Sequence, residues 1–480
     1  MLIALLLAAS GLPSQGVLES VALDAIRGSC PGRPVQIDTD LTRACRAFAA
    51  AVEAGRSPVN GGAVSFYASL ESSEPAPTAG LSIVSPPEDA ESAVGDAIPK
   101  TCRFNRIGVA AALSGNRAVI CAITAFHAGD LQHIPGQVEA GATVSVSGML
   151  PDNLTNPRLY VMSPAGEVQD VRLAFEGRSF AARLPLAKKG EHSIEVLADG
   201  PGGPQVVALR RVFAGVAPPQ SPPPEPKAGE GLAGVEAAIG RLRAAHGLPA
   251  LQRDPELDAV AEGHSGEMAR LRTFAHVLPS DGSLTDRLDA RGYARRSSGE
   301  NIGLSDDVAT AHEAIVGSPA HLANLLDPRH RRLGLGAAKG NAPDGTAGVY
   351  LTEVLAAPIV GSADPAAEVA TLLAEEREKK GLLPLRRDPG LDAIAAHEVR
   401  AAALADQSKL DPDAARRAVE KLPGLESVMA QLMVRSAPEE VSGSKFNAEP
   451  RWTRLGVGAI YASSKQLGPG RLWVLLVYAR

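Results

Sequence analysis

Aromatic side chains make up only 4% of this 480-residue chain, which leaves few of the flat apolar faces that sugar-binding sites stack against. Charge of one sign is lacking too. Forty-eight basic residues stand against 54 acidic ones, for a formal charge of −6, and that balance excludes the broad basic face needed to hold a nucleic-acid backbone. Long apolar runs are missing apart from Met1–Ala9. That run is too short to span a bilayer; followed by small residues, it reads as the core of a secretory signal over residues 1–16, although without a basic leading segment. The expectation is a secreted or periplasmic protein with no transmembrane helix in its mature chain.

Cysteine is scarce and confined to the first quarter of the chain, at Cys30, Cys45, Cys102 and Cys121. An even number in an exported protein favours two disulfides, for which four thiols permit three pairings, with buried free thiols as the alternative. The spacings fit no zinc site. Everything after Cys121 must fold without covalent help.

The length suggests three or four units, and an internal repeat divides the second half. Gly247–Ala261 aligns without gaps to Gly381–Ala395, sharing Arg-Asp-Pro at 253–255 and 387–389, and Asp327–Gly336 answers Glu449–Gly458. Each copy opens with an aspartate suited to cap a helix and closes on Gly-rich strands. A fainter third copy begins at Asp38, with its strand-turn-strand near Arg106–Val109. Between them, residues 131–215 carry short alternating runs such as Thr143–Ser147 and His192–Val196, which predict an immunoglobulin-like β-sandwich. The prolines of 216–230 predict a semi-rigid linker. The expected order is a cysteine-containing module at 17–130, the sandwich, the linker, one domain at 231–358 and its second copy at 359–480.

Acid and imidazole groups gather in three separate stretches: Phe274-Ala275-His276, Gly299-Glu300-Asn301-Ile302 and Ser318-Pro319-Ala320-His321. His276 falls in a loop beyond a helix ending near Leu271, a position from which a side chain can reach a cleft. Glu300 follows a glycine that permits a bend. His321 falls in the first turn of a helix begun by Ser318 and Pro319. On the preceding helix Leu257, Val260, Ala261, His264, Met268 and Leu271 share one face, so His264 points inward.

Taken in order, these stretches resemble the CAP superfamily, which groups cysteine-rich secretory proteins, antigen 5 and pathogenesis-related 1 proteins, in its bacterial secreted SCP-like form. The resemblance implies an α-β-α sandwich for each CAP-like unit. The fold class expected for the whole chain is therefore multidomain α+β, with an added β-sandwich. It also implies that His276, Glu300 and His321 converge in one cleft. Two imidazoles and a carboxylate are a partial ligand set for zinc or another divalent cation, and the same groups could serve as general acid and base. The family's second glutamate has no clear counterpart here: its place lies near Ser318, with Glu313 and Glu353 as substitutes, each of which otherwise reads as an exposed helix or strand-edge charge. The family's tryptophan is Ile315. In the second copy Leu410 replaces His276, and the Gly-Glu-Asn element and the later histidine are absent; His397 is one position out of register with His264.

Three functions compete on this reading. The first is binding of a protein, lipid or envelope component through the cleft. The second is metal-assisted hydrolysis, and the third is a structural spacer with an empty cleft.

Overall fold

Three times along the chain an aspartate caps a helix that lies across a four-stranded sheet. The computed structural model describes residues 14–32, 34–74, 79–86, 89, 93–94, 104–114, 117–126, 129–223, 231–293, 295–343, 345–358, 364–409, 424–464 and 467–480. Asp38 accepts hydrogen bonds from the backbone N–H groups of Asp40 and Leu41, Asp254 from Glu256, and Asp388 from Gly390 and Leu391. Each cap satisfies donors that the helix start leaves orphaned, for about 1 kcal/mol.

The N-terminal module runs α1 (Gln15–Ser29), β1 (Gln36–Ile37), α2 (Thr39–Glu53), α3 (Gly61–Glu71), β2 (Ala79–Ser85), β3 (Arg106–Ser114) and β4 (Arg117–Ala125). Nine strands follow: β5 (Asp130–Leu131), β6 (Gln137–Val138), β7 (Thr143–Met149), β8 (Thr155–Met162), β9 (Val168–Val171), β10 (Ala174–Glu176), β11 (Ser179–Pro185), β12 (Gly190–Gly200) and β13 (Gly203–Ala214). The central domain runs α4 (Gly231–Ala245), β14 (Gln252–Arg253), α5 (Pro255–Leu271), α6 (Leu284–Ala290), β15 (Ser297–Ser305), α7 (Val308–Gly317), α8 (Pro319–Leu326), β16 (Arg332–Asn341) and β17 (Ala347–Ala357). The last module contains α9 (Pro365–Lys379), β18 (Arg386–Arg387), α10 (Pro389–Leu404), β19 (Val428–Arg435), β20 (Arg454–Ser464) and β21 (Gly468–Ala479).

The three four-stranded sheets have one topology, with orders β1-β3-β4-β2, β14-β16-β17-β15 and β18-β20-β21-β19. In each, the two-residue strand before the capped helix pairs in parallel with the penultimate strand, and the last two strands form a hairpin. A glycine fixes the crossing of helix and sheet. A methyl group on Gly108 would stand 2.2 Å from the backbone carbon of Leu41, and one on Gly334 2.2 Å from that of Leu257. On Gly456 it would meet the Leu391 Cβ at 2.4 Å. No side chain fits where the backbones touch. The same close approach explains the Leu-Gly-Leu-Gly and Leu-Gly-Val-Gly runs, which read in the sequence as ordinary hairpin alternation.

Two buried arginines repeat as well. Arg243 donates to the carbonyls of Pro249, Leu325, Asp327 and His330, and Arg377 to those of Leu383, Asn447 and Glu449. In the central domain, Val235, Ile239, Ala311, Ile315 and Leu325 cover one face of the sheet. Leu257, Val260, Ala261 and Leu288 cover the other. This makes three layers, with β15 at the sheet's edge. Leu271, expected on the buried face of α5, is 36% exposed at the end of its helix.

Strands β5 to β13 form a four-stranded sheet, β10-β11-β7-β5, and a five-stranded sheet, β6-β13-β12-β8-β9, closed over one apolar core that includes Val144, Phe180, Ile194 and Val212. This double sheet is tied to the N-terminal module by buried Arg210, which donates to the carbonyls of Leu70 and Ser72. The proline-rich segment starts against that module, where the Tyr67 hydroxyl donates to the Gln220 carbonyl at 3.1 Å.

Cysteine usage departs from the expected two bridges. Cys30 is disulfide-bonded, while Cys45 and Cys121 are buried free thiols whose sulfurs lie 2.7 Å apart. Cys102 and the apolar run Met1–Ala9 lie outside the described residues. Burial pushes the Cys45 thiol well above its ordinary range, so exchange through its thiolate is suppressed once the core has closed. Oxidative refolding with glutathione disulfide is expected to join these two sulfurs to each other. Peptide mapping that found Cys45 linked to any other cysteine would contradict the packing.

Candidate functional site

The three stretches singled out in the sequence meet at the edge strand of the central sheet. Glu300 lies on β15, opposite Val354 of β17, and its side chain is only 4% exposed. His276 approaches from the loop after α5, and His321 from the first turn of α8. Their ring centroids are 6.2 Å apart. The edge position permits this meeting, because the layers on the two faces of the sheet come together only where no further strand intervenes.

The Nδ1–H of His276 donates to Glu300 Oε1 at 3.0 Å. A carboxylate can only accept, so Nδ1 carries the proton and the lone pair of a neutral ring sits on Nε2. The other oxygen, Oε2, accepts from the Arg287 guanidinium. Arg287 also donates to the carbonyls of Gly282 and His276. Burial pushes the Glu300 carboxyl up, but His276, Arg287 and His264 more than offset it, and it titrates below the usual carboxylate range. Desolvation lowers the His321 imidazole to about 3, helped by His276 and opposed by Glu300. His321 is therefore neutral at every physiological pH.

His264 is fully buried, as its helix face predicts. Its ring bonds to Asp281 at 2.8 Å and to the Ala275 carbonyl at 3.1 Å, and it lies 3.9 Å from Glu300. It anchors the loop that carries His276 rather than facing the cleft.

Glu353, which reads in the sequence as an exposed strand-edge charge, is completely buried. One oxygen pairs with His312 at 2.7 Å, and the other accepts from the Asn301 amide at 3.1 Å. That amide also donates to the His321 carbonyl at 3.2 Å. Glu353 thus braces the site from the opposite face of the sheet. Glu313 is an exposed helix residue, its carboxyl raised by partial desolvation, and His397 is exposed.

The fit to a metal ion is poor. Among the described residues no group of three or more His, Cys, Asp or Glu side chains is arranged to hold one. Glu300 already shares its two oxygens between a guanidinium and an imidazole, and the Arg287 charge beside it opposes a cation.

Sequence reasoning missed Arg287, His312, Asp281 and Asn324, whose amide donates to Asn301 Oδ1 at 2.9 Å. A signal for Arg287 was present: Leu284, Arg287 and Leu288 share one helix face, which makes an arginine there a buried residue rather than a solvated one.

The other two sheets lack this chemistry. Ala430 stands opposite Val477, the position equivalent to Glu300 opposite Val354, and Gly80 stands opposite Ile123. Leu410, the counterpart of His276, lies outside the described residues.

Comparison with known proteins agrees with the family resemblance. Residues 237–354 match the family model CAP, the cysteine-rich secretory protein family. Over 96 residues the chain is 36% identical to an uncharacterized membrane protein, YlbC, of Bacillus subtilis (strain 168). The match covers 20% of this chain and 28% of that protein. A solved outer surface protein from Borrelia burgdorferi is 17% identical, with 26% of this chain and 92% of that chain covered and a TM-score of 0.24. An extracellular protein containing a SCP domain from Bacillus anthracis str. Ames is also 17% identical, with 48% and 86% covered and a TM-score of 0.23. No helix among the described residues is long and apolar enough to cross a membrane.

Proposed function

We propose that this chain, which carries a CAP domain over residues 237–354, is an exported binding protein that takes a protein, lipid or envelope ligand at the His276–His321 pair without a metal ion. The observation that carries this reading is the engagement of both Glu300 oxygens by His276 and Arg287. The carboxylate acts as an internal counter-ion. It holds the His276 ring with Nδ1 toward the carboxylate, and the two imidazoles are the polar groups left to meet a ligand.

We read the first and last sheets, which share the topology but have glycine and alanine at the Glu300 position, as degenerate copies kept for packing. The immunoglobulin-like double sheet between them serves as a connecting module.

Zinc calorimetry separates this reading from the hydrolase. The wild-type chain, His276→Ala and His321→Ala are expected to give the same weak heats. Stoichiometric zinc binding that disappears in both variants would overturn the metal-free cleft. Envelope extract passed over immobilised wild type and the His276→Ala/Glu300→Ala/His321→Ala variant tests the spacer alternative, because cargo lost only from the variant requires a working cleft.

A further inference from the structure

Along β12 the residues Ile194, Val196 and Ala198 point into the core of the double sheet. Alternation therefore places Ser193, Glu195 and Leu197 on its outer face, where a strand normally meets water. All three are buried, and Glu195 is 0% exposed. The CAP domain covers Glu195. Glu195 Oε1 accepts from the Ser318 hydroxyl at 2.7 Å, and Oε2 from the Ala320 N–H at 2.7 Å. Ser318 Oγ in turn accepts from the His321 N–H at 3.4 Å. A carboxylate of the double sheet thus closes the N-terminus of α8, the turn that carries His321, where its charge is favoured by the helix dipole and the free backbone donors.

The other histidine is held by the same module. The Gly202 carbonyl, in the turn between β12 and β13, accepts from the Val277 N–H at 3.0 Å, one residue beyond His276. A methyl group on Gly203 would stand 2.9 Å from the His276 Cβ.

We propose that Glu195 is a positioning residue of the CAP cleft, so that the site is built by two modules. The carboxylate fixes the first turn of α8 and through it the His321 ring, while the Gly202–Gly203 turn fixes the loop of His276. Burying Glu195 without a cation beside it is costly: burial raises its carboxyl to about 7, against the pull of Ser318 and Ala320. A contact that served adhesion alone would be met by an apolar residue at lower cost. This inference rests on the cleft reading for its functional meaning, but its test needs no ligand and fails separately.

The test follows the reaction of His321 with diethyl pyrocarbonate in the full chain at one neutral pH, read by peptide mass mapping. Exposed His397 serves as the internal reference. In the wild type His321 is expected to react slowly. Glu195→Ala is expected to raise its rate roughly tenfold, as the turn opens more often, and Glu195→Gln, which keeps one acceptor oxygen, to fall between. The Ala320 amide proton resonance should move upfield in the same order as it loses its charged acceptor. Should Glu195→Ala fail to fold, Ser318→Ala, which removes only the hydroxyl, is expected to shift both readouts in the same direction. Unchanged His321 reactivity and an unmoved Ala320 resonance in a folded variant would overturn the proposal and reduce Glu195 to interface packing.

Discussion

Glu300→Ala is expected to destabilise the central domain by about 3–5 kcal/mol, the usual consequence of leaving one member of a buried ion pair alone. Arg287 is only 7% exposed, and without the carboxylate its charge would have carbonyls and the more distant Asp281 as partners. His276 would lose the acceptor that fixes its ring. A double-mutant cycle with Arg287→Met, followed by denaturant unfolding, isolates the coupling. It should come out at about 2 kcal/mol or more, because the double variant removes both charges together. A catalytic or metal-binding carboxylate held ready in the apo protein would behave oppositely, since removing it relieves repulsion. A Glu300→Ala variant within about 0.5 kcal/mol of wild type would therefore contradict the counter-ion role.

Acid should unfold the domain in a stepped manner. The unfolded chain protonates His321 near pH 6.5, whereas the folded chain resists until about 3. Across that window the unfolded state binds more protons, so stability falls as pH falls. Buried His330 contributes with the same sign. Glu300, held below its ordinary range, adds to the loss once pH drops through the carboxylate region. Glu195 has the opposite sign. Its raised value of about 7 means that its contribution is fully present below about pH 4.5 and is lost as pH rises toward 7.

Glu195 offsets part of the histidine loss between about pH 7 and 4.5, and below that only losses remain. The unfolding free energy from denaturant melts is expected to decline only shallowly in the first interval. It then drops by about 2 kcal/mol or more down to pH 3. Glu195→Gln should steepen the slope in that interval, and His321→Asn should soften the acid drop. Parallel profiles for the three proteins would refute the assigned signs.

The parts of this molecule that the sequence revealed are those where spacing and local chemistry decide the outcome. Asp254 and Asp388 precede apolar periodicity and cap helices in the structure. Ser318 and Pro319 start the helix that carries His321. The convergence of His276, Glu300 and His321 followed from their order and a family resemblance, and the edge strand delivers it.

What stayed hidden depends on long-range packing. Glu195 sits on the outer side of an alternating strand, and only the docking of another module buries it. Glu353 and His312, far apart in sequence, bond to each other between the sheet and the helix that covers it, so each alone resembles a solvated residue. Arg287 was the consequential omission, because its guanidinium changes Glu300 from a prospective ligand into a satisfied counter-ion. The glycines at 334 and 456 were visible as a repeat, but the helix backbone that forbids a side chain there was not.

A crystal structure of the full chain grown with excess zinc tests the central claim most directly. Glu300 should remain bonded to Arg287 and His276, with no anomalous peak between the two cleft imidazoles. A zinc ion bound by His276 and His321, with Arg287 turned away from the carboxylate, would contradict it.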